Sequence, residues 1–254
     1  MNPPIRDWRD KHVWIIGASS GIGLALAKQL SAMDARVCVS ARSESLLSEF
    51  VASHARAQAI ALDVTQPLAI ENAFNALSAK SPLDLIIYCA GHYTPMRAQD
   101  FNLPELTKHF NINYFGVLNL LSACLPALIS RGKAHLSFVS SVAGYSGLPN
   151  SLAYGPTKAA LTHLAEVLYL DLQPLGLGVS VINPGFVETP LTAQNTFHMP
   201  ALITAEQAAR EIIAGYARGE FEIHFPKRFS IFLKLLRLLP YKLYFSIIRK
   251  STGM

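Results

Sequence analysis

Seven short apolar runs alternate with longer helical patterns along the 254 residues, and this alternation restricts the fold more than any other feature. The runs are VWIIG (13–17), RVCVS (36–40), AQAIALD (57–63), LDLIIYCAG (83–91), HLSFVS (135–140), GVSVINPG (178–185) and FEIHF (221–225). Apolar residues recur at helical spacing over roughly 22–33, 43–53, 67–79, 105–130, 154–174 and 205–218. Strand–helix–strand units of this kind build a parallel sheet with helices on both faces. Strands rich in Val, Ile and Leu throughout are what a sheet covered on both sides requires. The expected fold is therefore α/β, a Rossmann-like doubly wound parallel sheet of about seven strands. No repeat or low-complexity linker interrupts it. Residues 1–226 are read as one domain, and 227–254 as an apolar, basic C-terminal extension.

Charge and cysteine usage exclude several function classes. Residues 227–254 hold seven Lys and Arg and no acid, which leaves fifteen cations against seventeen acids elsewhere. The body is mildly acidic, so a nucleic-acid partner is not expected. Cys38, Cys89 and Cys124 are odd in number and widely spaced, which fits a reducing cytoplasm rather than a disulfide framework or zinc site. No His, Cys or carboxylate cluster has metal-ligand spacing, and no metal is expected. No 18-residue run is free of charge and wholly apolar, so a transmembrane helix is not expected. The opening MNPPIRDWRDKHVWIIG has no apolar signal region before the first strand, which argues against secretion.

The heptapeptide GASSGIG (17–23) lies between the first strand and the first helix. Gly17, Gly21 and Gly23 let the backbone turn tightly and approach a ligand, and the helix N-terminus favours an anion. In a βαβ context this is a dinucleotide signal. NAD-selective sites put a carboxylate at the end of the second strand, whereas this chain reads VCVSARSE, with Arg42 there and no acid before Glu44. A guanidinium can grip a 2′-phosphate with a planar fork of donors, so NADP is the expected cofactor.

AYGPTKAALTHLA (153–165) starts a helix near Tyr154 and places Lys158 one turn further along the same face. Upstream, LSFVSSVAG puts Ser140 and Ser141 at the C-terminal end of a strand, where open α/β sheets bind ligands. Together, GASSGIG, VSSVAG and YGPTK resemble the short-chain dehydrogenase/reductase family, over roughly residues 10–225.

That resemblance implies an oxidoreductase with Tyr154 as general acid/base and Lys158 lowering its pKa and binding the nicotinamide ribose. It makes Ser141, rather than Ser140, the residue that polarises the carbonyl. It makes Asn113 of NINYFG, rather than Asn111, the holder of a relay water. The implied cofactor site comprises Gly17, Ser19, Ser20, Gly21, Ile22 and Gly23 of the loop, Arg42, and Asp63 and Val64 beside the adenine. Ala90, Gly91, Tyr154, Lys158, Pro184, Gly185, Val187 and Thr189 complete it. Two departures from the family pattern stand out. Ile16 replaces the usual Thr before the first glycine, and Tyr88 and Cys89 replace two asparagines before Ala90–Gly91. A neighbouring ammonium and the positive nicotinamide ring are both expected to favour the phenolate of Tyr154.

The expected reaction exchanges a hydride between NADP(H) and a carbonyl/secondary alcohol pair. The alternative is an NADP-binding sensor or scaffold without turnover. Leu191, Phe197, Met199, Leu202 and Ile203, with Phe186 and Tyr145, offer a wall for an apolar or lipid-like substrate. His92 and His198 read as loop histidines beside that region. The family commonly pairs the helices at 105–130 and 154–174 between subunits, so a homodimer or homotetramer is implied. In the tail, Phe229, Phe232, Leu233, Leu236 and Leu239 form one helical stripe, and Pro240 separates a second apolar-basic segment. Residues 229–250 are expected either to pack on the cleft or a partner subunit, or to lie peripherally on the inner face of an anionic membrane.

Overall fold

The seven strands form one wholly parallel sheet: β1 (His12–Ile16), β2 (Arg36–Ala41), β3 (Gln58–Ala61), β4 (Leu85–Tyr88), β5 (Ala134–Val139), β6 (Leu177–Pro184) and β7 (Glu222–Phe225). The computed structural model describes residues 1–197 and 199–252. Spatial order is β3-β2-β1-β4-β5-β6-β7, so the chain reverses its direction of winding between β1 and β4. Doubly wound sheets open a crevice at such a switch point, beyond the C-terminal ends of the strands.

Burial on both faces explains why these strands are apolar throughout. One core joins the sheet to α1 (Gly21–Ala32), α2 (Glu44–Ala52) and α7 (Ala205–Arg218) through Leu26, Leu30, Leu47, Phe50, Ile212 and Tyr216. The other joins it to α3 (Pro67–Lys80), α5 (Gly116–Arg131) and α6 (Tyr154–Leu172) through Phe74, Leu77, Leu120, Cys124, Leu161 and Leu168. Each buried Leu, Ile or Phe contributes about 1.5–3 kcal/mol relative to exposure, before chain entropy is set against it.

The single helix expected over 105–130 is longer and not uniform. It comprises α4 (Leu103–Phe110), a five-residue π segment (Asn111–Phe115) and α5. The cause lies on β4, where the Tyr88 hydroxyl donates to the Ile112 carbonyl at 2.5 Å. That carbonyl would otherwise accept from Gly116, whose N–H goes to Asn111 instead. Gly116 itself makes room, because a Cβ there would lie 2.2 Å from the Tyr88 oxygen. Tyr88 thus replaces a family asparagine with a brace that widens the helix by one residue at Asn113. Leu103–Arg131 is long and apolar enough to cross a membrane by length and composition alone. Its Val117, Leu120, Cys124 and Leu128 instead pack into the core beside the sheet.

The tail forms a helical hairpin, α8 (Lys227–Arg237) and α9 (Tyr241–Thr252), with Pro240 at the corner. Its inner face carries Leu233, Leu236, Tyr244 and Ile248, which bury against Val142 and Tyr145 just beyond β5. Phe229 and Leu239 flank this contact as expected, but Phe232 sits at the edge of the stripe and stays half exposed. Polar groups tie the same elements together. Lys234 pairs with Glu222 on β7, which also accepts from the Tyr145 hydroxyl at 2.5 Å and the Asn183 amide at 2.9 Å. Burial works against a charged Glu222, yet the bonds from Lys234, Tyr145 and Asn183 prevail and hold its pKa below the usual carboxylate range. Tyr244 anchors α9 by donating to the Gly147 carbonyl at 2.7 Å.

Candidate active site

The turn leaving β1 opens the crevice. Gly17 has φ +91°, and a Cβ on it would sit 2.4 Å from the backbone nitrogen of Ala90. Only a residue without a side chain lets this turn lie against the end of β4. The turn delivers the chain to α1, whose N-cap Ser20 makes no side-chain capping bond and whose first turn has no acid. The first-turn N–H groups therefore remain open to an anion in the cleft. After β6, Thr189 closes over the turn, since a Cβ at Gly21 would lie 2.9 Å from its methyl group.

These elements line a cleft of ≈ 1250 Å³ that takes in Ser19, Ser20, Ile22, Arg42, Asp63, Val64, Ala90, Gly91, Pro184, Gly185, Val187 and Thr189. Gly23 does not line it. A Cβ there would fall 2.2 Å from the Gly17 carbonyl, so Gly23 keeps α1 close to the turn. Arg42 is exposed at the rim. Asp63 accepts from the Thr65 N–H at 2.9 Å and its hydroxyl at 2.8 Å. The Thr65 N–H, its hydroxyl and the nearby Arg42 hold the Asp63 carboxyl below its ordinary range against partial burial. The sequence departures are accommodated without loss of the cradle: Ile16 is buried in the core, and Cys89 is a thiol pushed up to about 11 by burial, far from thiolate. A bare turn, an open helix N-terminus, a rim guanidinium and a paired Asp63 fit a dinucleotide.

Ser141, Tyr154 and Lys158 converge on the same cleft. The two serines part company. Ser140 is buried and its hydroxyl donates to the Lys158 carbonyl at 2.8 Å, which commits it to α6. Both border the cleft, but Ser141 only accepts the Ala143 N–H at 3.1 Å and neighbours the Tyr154 hydroxyl. Lys158 is buried, donates to the Val139 carbonyl at 2.8 Å and sits 5.4 Å from the centre of the Tyr154 ring. Burial brings its pKa down to about 8. Burial raises the Tyr154 pKa above the ordinary phenol value and only the neighbouring Ser141 hydroxyl pulls it back, so the protein alone holds the phenol protonated.

Asn113 does not line the cleft. It is fully buried beneath it, with its carbonyl oxygen taking the His92 N–H at 2.7 Å. Its amide nitrogen donates to the His92 carbonyl at 2.9 Å and the Thr157 hydroxyl at 3.1 Å. The side chain thereby clamps the loop after β4 to α6. A Cβ at Gly91 would lie 3.8 Å from the Asn113 carbonyl oxygen and 3.9 Å from the Lys158 nitrogen, so both groups face one gap.

Several contacts could not be read from the sequence. Tyr93 packs edge-on to Tyr154 at 5.0 Å between ring centres and donates to Asn195 at 2.9 Å, joining the tyrosine to the segment after β6. His92, Glu105 and His109 come together with ligand atoms within 4.8 Å, a grouping that linear spacing hid. Both ring nitrogens of His109 are already engaged, one with the Glu105 carbonyl at 2.8 Å and one with the Thr94 N–H at 3.0 Å. With His92 bonded to the Glu105 carboxylate, the trio braces the loop against α4. In the expected substrate wall, Leu191 lines the cleft and Phe186 packs on Phe197 and Phe229. Tyr145 is turned away to Glu222, Leu202 is exposed and Ile203 packs on the core. His198 lies outside the described residues.

Residues 11–199 match the short chain dehydrogenase family. An uncharacterized oxidoreductase of Myxococcus xanthus is 34% identical over 241 residues, covering 93% of this chain and 95% of that protein. Among solved structures, a short-chain dehydrogenase from Streptomyces avermitilis superposes with TM-score 0.80 at 24% identity, covering 96% of this chain and 98% of the other. ElxO, solved with NADP bound, superposes with TM-score 0.76 at 22% identity, covering 85% of this chain and 97% of its own.

Proposed function

The chain belongs to the short-chain dehydrogenase/reductase family of oxidoreductases, and from that premise we propose that it exchanges a hydride between NADP(H) and an apolar carbonyl/alcohol pair. The observation that carries this reading is the convergence of Ser141, Tyr154 and Lys158 on the cleft that receives the open N-terminus of α1. NADP is favoured over NAD by Arg42 at the end of β2, where no carboxylate stands to meet a ribose 2′-hydroxyl. Its solved neighbour ElxO, which holds NADP, has the same fold.

Bound NADPH supplies the hydride, and the protein supplies proton and geometry. Ser141 accepts the Ala143 N–H with one lone pair and neighbours the Tyr154 hydroxyl, so its own O–H is placed to turn to a substrate oxygen. Tyr154, kept protonated by its surroundings, delivers a proton to that oxygen as negative charge develops. Lys158 remains mostly cationic at neutral pH with a pKa of about 8, and stabilises the phenolate left behind. Asn113 fixes the loop, and the gap it shares with Lys158 suits a water that returns the proton from solvent. Leu191 in the cleft lining, with Phe186 and Phe197 packed edge-on in the adjoining segment, supports an apolar substrate.

The test is a panel of ketones and aldehydes assayed with NADPH and with NADH. Apolar carbonyls should turn over with NADPH, and Arg42→Ala should raise the KM for NADPH by about 10- to 100-fold, the worth of a charge-assisted phosphate contact. NADH kinetics should barely change. Equal loss with both cofactors removes the NADP assignment, and tight NADPH binding without turnover on any substrate removes the enzyme reading.

The π segment and the helices α5 and α6 leave Phe115, Ile129, Val167 and Leu170 exposed, with Leu170 at 71%. We assign these faces to subunit pairing. Sedimentation velocity at micromolar concentration should give a dimer or tetramer, and a monomer alone rejects the assignment.

A further inference from the structure

We propose that the α8–α9 hairpin is a docking surface for an anionic lipid bilayer. Its inner face is committed to the body through Leu233, Leu236, Tyr244 and Ile248, so its outer side chains are not core residues waiting for a partner element. Yet that outer surface is apolar. Phe232 and Leu235 are 52% and 58% exposed on α8, and Leu238 and Tyr241 at the corner are 79% and 78% exposed. Leu243 and Phe245 continue the exposure along α9. Large aliphatic and aromatic groups concentrated in this way mark an interaction site rather than ordinary surface.

Charge selects the occupant. All seven cations of residues 227–254 lie on the hairpin, and no acid does. Lys234 is consumed by Glu222. Among the described residues, no carboxylate forms an ion pair with Arg228, Arg237, Lys242, Arg249 or Lys250. On α9, Lys242, Ser246, Arg249 and Lys250 border Phe245 around one shallow depression, so cations and apolar groups share one surface. A second copy meeting this face across a two-fold axis would set cations against cations. A nucleic-acid backbone would satisfy the charges but give nothing to Ile231, Leu235 and Leu238. An anionic interface satisfies both, with side chains immersed among acyl chains and cations among headgroups. Two short helices lying flat suit this depth, and neither is long enough to span a bilayer.

The experiment is flotation of the full-length protein with phosphatidylcholine vesicles, with and without phosphatidylglycerol, at low and high salt. Binding should require phosphatidylglycerol and weaken with salt. Two surface variants separate the contributions: Phe232→Ser with Leu235→Ser removes apolar contact, and Lys242→Gln with Arg249→Gln removes charge. Each pair should weaken binding at least ~10-fold while leaving the melting temperature and turnover of a soluble carbonyl compound unchanged. Absence of binding to anionic vesicles at low salt overturns the proposal. Binding that survives both variants overturns it too, because another surface is then responsible. An oligomer that dissociates on Phe232→Ser with Leu235→Ser assigns the face to a second copy instead.

Discussion

Tyr154→Phe is expected to lower turnover by about 10³-fold, within the range a positioned general acid contributes. The ring survives the change, so its edge contact with Tyr93 at 5.0 Å and its place beside Lys158 survive with it. NADPH affinity, followed by quenching of protein fluorescence, should therefore move by no more than about threefold. Nor should the variant unfold earlier, because the deleted hydroxyl is an already costly buried group whose partner, Ser141, also faces the cleft. Loss of turnover with retained cofactor binding is the pattern of an interaction made only in the transition state. If more than about a tenth of wild-type turnover remains, the proton reaches the substrate by another route and the assignment of Tyr154 fails.

Gly17→Ala should be the most damaging conservative change in the cofactor cradle. At φ +91° a side chain is strained by roughly 1–3 kcal/mol wherever it occurs. Here the new methyl would also stand 2.4 Å from the Ala90 nitrogen and 2.5 Å from its Cα, atoms fixed in the backbone after β4. Something must move, and displacement of the turn tilts the open end of α1 away from the phosphates. A loss of about 3 kcal/mol in unfolding free energy and at least tenfold in NADPH affinity is expected. Gly147→Ala is the control: nothing lies within 4 Å of its new Cβ, so the melting temperature should stay near wild type. A Gly17→Ala protein that melts and binds NADPH normally would show that the turn is softer than its contacts imply.

The sheet and its cleft were legible because their determinants are local. Strands buried on both faces announce themselves as apolar runs, and the glycine turn and the Tyr154–Lys158 pair each fit within a few residues. What stayed hidden depends on partners distant in sequence. The π segment at Asn111–Phe115 owes its existence to Tyr88, a residue from another strand whose hydroxyl takes a helical carbonyl. The burial of Tyr154, which raises its pKa, is not reported by a four-residue spacing to lysine. In the tail, periodicity defined an apolar stripe but not its width. The body covers Leu233 and Leu236 and leaves Phe232 at the margin. The grouping of His92 with Glu105 and His109 likewise arises from a loop folding back on α4.

Glu222 receives Lys234 from α8, Tyr145 from the segment after Ser141 and Asn183 from β6. A protein shortened after Pro226 would keep two of these partners and lose the cation. The carboxylate would then be left in a half-closed site with hydrogen bonds but no counter-charge, an expensive arrangement that it can escape by taking up a proton or by letting Tyr145 go. Tyr145 lies four residues beyond the serine assigned to the substrate oxygen, so relaxation there disturbs the reaction centre. Deletion mapping would thus report the tail as essential for turnover even if the tail never meets substrate. Point changes on its outer surface, which leave Lys234 in place, are the cuts that separate attachment from chemistry.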